Sequence, residues 1–169
     1  MKLMTLMNST HSTHPPLRQF IGLLGWIVLC FSAAASAIFV STGGWYAALL
    51  KPSWNPPAWV FGPAWTTLYL MMATAAWLVW REGGWKQQGR ALTLFVMQWL
   101  LNALWTPLFF GMHQTGLALV EILLLWLAIA ATLRAFWRVK KSAGWLMLPY
   151  LAWVSFASVL NYTVWRLNA

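Results

Sequence analysis

Residues 51–65 read Lys51-Pro-Ser-Trp-Asn-Pro-Pro-Ala-Trp-Val-Phe-Gly-Pro-Ala-Trp65. These fifteen residues hold four prolines and three tryptophans, and they lie between two long apolar runs. Adjacent Pro56 and Pro57 fix two backbone angles and remove two amide donors. That lowers the entropy lost in holding one shape. Irregular backbone is not tolerated against lipid hydrocarbon. A connection this apolar therefore folds down over the helix ends as a rigid lid, and a lid implies a chamber beneath it.

Composition sets the solvent. Of 169 residues, 61% are hydrophobic and 8% are charged, against about 25% charged in a soluble domain. A chain of this size remains largely surface, so the surface itself is apolar and faces lipid. The lone cysteine, Cys30, excludes an internal disulfide and a multi-cysteine metal site. The net charge of +9 does not indicate a nucleic-acid partner, because the basic residues flank apolar runs instead of covering one polar domain.

A membrane helix needs about 20 mostly apolar residues. Five segments qualify: Phe20–Val40, Ala58–Trp80, Ala91–Phe110, Leu117–Trp137 and Gly144–Trp165. The expected fold class is an all-α integral membrane protein, a bundle of five transmembrane helices over 20–169. A lid loop covers 41–57, and a mobile tail rich in Ser, Thr and His covers 1–19. The first span exceeds a signal-peptide core and lacks a cleavage site followed by a polar mature domain, so it reads as a retained helix. No internal repeat stands out, which leaves an inverted-repeat transporter without support.

Lys2, Arg18, Arg81, Lys86, Arg90, Arg134, Arg138, Lys140 and Lys141 fall on one side of such a bundle, and only Lys51 and Arg166 on the other. This is a strong positive-inside bias. It suits a bacterial cell membrane better than a mitochondrial outer membrane, with the N-terminus in the cytoplasm. The proline-rich lid lies on the charge-poor side.

Most of the fifteen tryptophans suit interfacial anchoring. Trp65, Trp105, Trp126 and Trp153 instead lie well inside spans. Ordinary helix packing explains any one of them; several converging would wall a cavity for a flat aromatic ligand. Asn102 lies roughly 12 Å from the lidded side at 1.5 Å per residue. Trp65 and Asn161 enter from the same side at comparable depths, so the three can share one pocket. The alternative is that Asn102 and Asn161 only hydrogen-bond between helices; the two readings are compatible.

No histidine lies within a span, which removes the axial ligands of a membrane haem cytochrome. No lysine lies mid-span for a Schiff base, and no nucleophile has a nearby base. The sequence therefore offers no conventional catalytic residue and no metal site. Glu121 is the only acid within a span. Its place near the start of the fourth span favours a structural role at the positive end of a helix.

The pattern Trp45-Tyr46-x-x-Leu49-x-Lys51-Pro52-x-Trp54-x-Pro56-Pro57-x-Trp59-x-Phe61-x-Pro63-x-Trp65 resembles the first loop and second helix of the TspO/MBR family. The resemblance continues through Gln98-Trp-Leu-Leu-Asn102-Ala-Leu-Trp105-Thr-Pro107-Leu-Phe-Phe110-Gly111. It ends in Pro149-Tyr150-Leu-Ala-Trp153 and Leu160-Asn161-Tyr162-Thr-Val-Trp165-Arg166-Leu-Asn168. It covers nearly the whole chain from Phe20 onward.

The resemblance implies a five-helix membrane protein, commonly a homodimer, that binds porphyrins such as protoporphyrin IX and haem under its first loop. Porphyrin is then a ligand and no cofactor is obligatory. Sterol is a further implied partner, with Leu160, Tyr162 and Arg166 matching the family's cholesterol-recognition pattern, which is weak by itself. Roles implied include receptor and stress-signalling functions, light-dependent porphyrin breakdown, and transport of tetrapyrrole or sterol across the membrane. Trp65 and Trp153 match tryptophans lining the porphyrin cavity and are the photochemical candidates. Tyr46, Pro56, Asn102, Thr106 and Ala157 fall at positions near bound ligand; Trp54, Trp105 and Asn161 complete the candidate binding set. Lys51 and Arg166 are candidates for pairing with the porphyrin's propionates, or else interfacial anchors that snorkel.

Overall fold

The computed structural model describes residues 15–35 and 44–169. Residues 1–14 of the expected tail, 36–40 of the first span and 41–43 of the lid lie outside the described residues. The described residues form helices and short connections, with no strand among them. The order is α1 (Pro16–Ser32), α2 (Gly44–Ala48), α3 (Ala58–Trp80), α4 (Gly84–Thr106), α5 (Thr115–Val139) and α6 (Lys141–Asn168). A π-helical turn, Pro107–Gly111, extends α4.

Among the described residues, four helices are long and apolar enough to cross a membrane: α1 with the tight turn after it, α4 with its π turn, α5 and α6. The 23 residues of α3 carry no charged side chain. Trp59, Trp65, Trp77 and Trp80, with Thr66, Thr67 and Thr74, dilute its mean hydropathy below that of the other four.

Several helices outrun the apolar windows that identify them. α1 starts at Pro16, where a residue without an amide donor suits the first helical turn. α4 starts at Gly84, inside the 81–90 loop expected from sequence, and kinks at Gln88 (φ −111, ψ 17). Gly83, at φ +118, makes the preceding turn in a region that side chains avoid. The 138–143 connection left between the expected fourth and fifth spans is nearly all helix. Lys140 alone, in an extended conformation (φ −152, ψ 116), separates α5 from α6. Hydropathy windows stop at charged residues, but a helix does not, because long basic side chains reach the interface from its flank.

α5 packs most extensively on α6 and then on α4, while α3 bridges α1 and α6. Phe95 of α4 stacks on Phe136 of α5 at 5.7 Å between ring centroids, and Trp26 of α1 meets Phe95 edge-on at 5.5 Å. At Gly144 the backbone of α6 lies so close to Trp137 that a Cβ there would stand 2.5 Å from the indole ring.

The bundle has two chemically distinct ends. At one, the Lys140 ammonium donates to Glu82 Oε1 at 2.6 Å, joining the α3–α4 and α5–α6 connections. There too Arg18 lies over the Trp80 ring at 5.9 Å and Arg81 over Trp77 at 4.5 Å. The Trp77 indole N–H donates to the Gln19 carbonyl at 2.9 Å. The opposite end carries α2 and the proline-rich loop, fastened to the last turn of α6.

Candidate functional site

Beneath the loop lies a cavity of about 880 Å³. α3 supplies Phe61, Trp65 and Tyr69; α4 supplies Asn102, Trp105 and Thr106; α6 supplies Trp153, Ala157, Leu160 and Asn161. Ile122 and Leu125 of α5 and Phe31 of α1 close the sides. Tyr46, Lys51, Asn55, Pro56 and Pro57 form the roof.

The walls are aromatic and mutually braced. Trp65 and Trp153 meet edge-to-face, with centroids 6.5 Å apart and planes at 81°. Phe61 meets Trp153 at 6.0 Å in the same manner. Across the cavity, Trp105 stacks on Phe109 at 4.9 Å. Phe109 and Phe110 come from the π turn, which sequence reasoning did not single out. Its wider winding turns two consecutive phenylalanines toward the chamber. The Met112 amide reaches back five residues to the Pro107 carbonyl at 2.8 Å. The signal was present as a proline two residues before an aromatic pair.

Two asparagines carry the polar contacts. Asn102 accepts from the Tyr69 hydroxyl at 3.3 Å and donates to the Tyr150 hydroxyl at 3.0 Å, tying α3, α4 and α6 together. Asn161 accepts from the Trp105 indole N–H at 3.1 Å and donates to the Thr115 carbonyl at 2.8 Å. Both line the cavity and both link helices, so the two readings hold together. Trp126 does not reach the chamber; its N–H donates to the Ser155 hydroxyl at 2.8 Å.

The roof is fixed by local chemistry. The Tyr46 hydroxyl donates to Asn55 Oδ1 at 3.0 Å, and Asn55 closes a turn onto the Pro52 carbonyl at 2.9 Å. Burial pushes the Tyr46 hydroxyl above its ordinary pKa, and the bond to Asn55 pulls it partly back. Trp45 stacks on His113 at 4.1 Å and meets Phe109 edge-on at 5.8 Å, seating α2 against the π turn. Asn168 clasps Leu50: the Leu50 amide donates to Oδ1 and Nδ2 donates to the Leu50 carbonyl, both at 2.9 Å. No motif reasoning anticipated this clasp.

Of the residues expected near ligand, Tyr46, Lys51, Pro56, Trp65, Asn102, Trp105, Thr106, Trp153, Ala157 and Asn161 line the cavity. Trp54 does not; it is half exposed on the outer side of the lid and meets Phe156 edge-on at 5.9 Å. Lys51 lies at the mouth, but its ammonium donates to the carbonyls of Tyr46, Leu49 and Ala47 at 2.6, 2.8 and 3.3 Å, closing the end of α2. Arg166 is exposed outside the cavity. The three residues of the sterol pattern do not share one surface. Leu160 faces inward, whereas Tyr162 and Arg166 face out, with Tyr162 against Trp165 at 6.2 Å. Behind the cavity wall, Gln98 of α4 and Glu121 of α5 are buried without a hydrogen-bond partner for either side chain.

A family model described as "TspO/MBR family" matches residues 22–166. A protein named "Translocator protein" from Homo sapiens is 50% identical over 126 residues, 73% of this chain and 75% of that protein. A "Tryptophan-rich protein TspO" from Chlorobaculum tepidum is 45% identical over 156 residues, 89% of this chain and 98% of that protein. A "Tryptophan-rich sensory protein" from Cereibacter sphaeroides is 41% identical over 145 residues, 86% and 90% of the two chains.

Proposed function

This chain belongs to the TspO/MBR family and is a multi-pass integral membrane protein; from that premise we propose that it is a five-span membrane receptor whose lidded cavity binds porphyrins, protoporphyrin IX or haem. The observation that carries the reading is the Trp65–Trp153 pair inside a roofed chamber of about 880 Å³. That volume falls within the range of about 300–1,000 Å³ typical of small-molecule sites. The two indoles already touch edge-to-face, so a flat ligand does not slide between them. It stacks on the face of one and meets the edge of the other. Aromatic pairs in such geometry contribute about 0.5–1.5 kcal/mol each beyond area burial.

The fifth crossing is α3, which brings Trp65 to the chamber. The basic end of the bundle lies in the cytoplasm of a bacterial cell and the lid lies outside, following the positive-inside bias. Porphyrin carboxylates stay at the wet mouth. Lys51 reaches them only by giving up one of its three carbonyls, and Arg166 only by moving in from outside. A porphyrin bound beside two indoles and illuminated with dissolved dioxygen has donors at hand, so Trp65 and Trp153 act as photochemical reactants.

The test is a titration of detergent-purified protein with protoporphyrin IX, by tryptophan quenching in the dark and porphyrin absorbance under light. Saturable binding with loss of the porphyrin bands supports the reading. In the Trp65→Phe, Trp153→Phe double variant, binding persists and the loss stops; undiminished loss there refutes the photochemical role. Absence of saturable binding in the unmodified chain refutes the receptor itself. A second reading, facilitated passage of tetrapyrrole or sterol, is favoured by the name "Translocator protein" that relatives carry. Protein-dependent flux of porphyrin or sterol into proteoliposomes would establish it.

A further inference from the structure

At the basic end of α5 a shallow groove runs along the outer, lipid-facing side of the helix. Ala130 and Ala131 form its floor, Leu133 and Trp137 its sides, and Arg134 and Arg138 its head. Both guanidiniums are exposed and lie four residues apart, one above the other on the same face. The alanines carry no bulk beyond Cβ, so they leave a trough where Leu127, one turn deeper, is exposed to hydrocarbon. Trp137 is held in place: it packs against the Gly144 backbone and meets Trp145 at 4.9 Å.

Three of the other cations on this end are engaged. Lys140 holds Glu82, Arg18 lies over Trp80, and Arg81 lies over Trp77. The whole chain has two acidic side chains. One is that Glu82, and the other, Glu121, is buried farther along α5. Arg134 and Arg138 therefore meet no carboxylate among the described residues. Two guanidiniums at the head of an apolar trough, beside a tryptophan at interface depth, complement a group with anionic oxygens on an acyl chain. Guanidinium is also the side chain best shaped for bidentate bonds to phosphate.

We propose that this groove is a binding site for one anionic phospholipid, the acyl chain lying over Ala130 and Ala131 and the phosphate held by Arg134 and Arg138. The site is separate from the lidded cavity and lies at the opposite end of the bundle, so porphyrin binding and lipid binding are independent readouts. A diffuse attraction of all the basic residues for an anionic leaflet is the competing account. It predicts that any pair of cations on this end matters equally.

The test is native mass spectrometry of the full chain in detergent, with phosphatidylglycerol or phosphatidylcholine of identical acyl chains. The unmodified protein should retain one phosphatidylglycerol in preference to phosphatidylcholine. Arg134→Gln with Arg138→Gln should lower that occupancy roughly thirtyfold, at about 1 kcal/mol for each of two near-surface cations. Lys86→Gln with Arg90→Gln, which removes the same charge elsewhere on this end, should change it less than twofold. Ala131→Phe keeps both arginines and fills the trough at an exposed position, so it should also displace the lipid. Equal retention of the two lipids, equal losses in the two double variants, or undiminished retention in Ala131→Phe would each overturn the proposal. Should the arginine double variant fail to fold, Ala131→Phe decides.

Discussion

Replacing Asn168 by Ala should open the lid without unfolding the bundle. The side chain makes two bonds to Leu50, both 2.9 Å, and one to the Val164 carbonyl within its own helix. Asn168 is exposed, so each lid bond competes with water. At a net 0.5–1.5 kcal/mol per bond, and toward the lower end for an exposed site, the two together contribute about 1–2 kcal/mol. That corresponds to a roughly 5- to 30-fold rise in the open population of the lid. The helices lose only the Val164 bond besides, since the core contacts of α6 lie deeper. Hydrogen exchange of the Leu50 amide and of residues 44–57 should accelerate by that factor, while exchange within α5 and the middle of α6 stays unchanged. A bound porphyrin should dissociate faster by a similar factor. Asn168→Asp keeps the acceptor for the Leu50 amide but loses the donor, and should fall between the two. If lid exchange in Asn168→Ala stays within twofold of the unmodified protein, the clasp does not hold the roof.

Further outcomes concern the bundle itself. Glu121 is 5% exposed and neither carboxyl oxygen has a partner. An unpaired buried carboxylate is costly, so Glu121→Gln should raise the melting temperature by about 4 °C, the effect of roughly 1 kcal/mol. A fall of that size in differential scanning fluorimetry would instead mean that the carboxyl performs a structural task. Gly144→Ala should destabilise, because the added Cβ would sit 2.5 Å from the Trp137 ring and 3.1 Å from its Cα. Overpacking costs about 1–3 kcal/mol and alanine's helix preference returns up to about 1 kcal/mol. The melting temperature should therefore fall or hold, and a clear rise would show that α6 shifts freely away from α5.

Much of this architecture can be read along the chain, for identifiable reasons. Proline and charge punctuate the helices, so Pro57 and Arg81 bracket α3 in the sequence and in the structure alike. Counting residues inward from the lidded side puts Trp65, Asn102 and Asn161 at similar depths, and the cavity brings them together. What depth counting lacks is direction around the helix. A membrane helix is apolar on every side and carries no stripe to orient it. Trp126 and Trp105 look alike by depth, yet one bonds Ser155 between helices and the other faces the chamber. The same gap separates Leu160 from Tyr162. The π turn escapes because its effect is a change in angular step that residue spacing does not reveal. The occupation of Lys51 by three carbonyls escapes for another reason. Charge bookkeeping counts cations, whereas an ammonium that closes a helix end is already in use.

The one-residue link at Lys140 bears on how the molecule is made. Helices of 25 and 28 residues joined by a single extended residue leave no slack between two successive crossings. Once α5 crosses, α6 starts at the same membrane face and runs straight back beside it. That hairpin carries Trp153, Ala157 and Asn161 on one arm and Ile122 and Leu125 on the other. It also brings Asn168, which bonds a residue 118 positions earlier in the chain. A nascent chain halted before the hairpin has its roof residues but no far wall and nothing to fasten them to. The chamber is thus complete only once the last helix is in place.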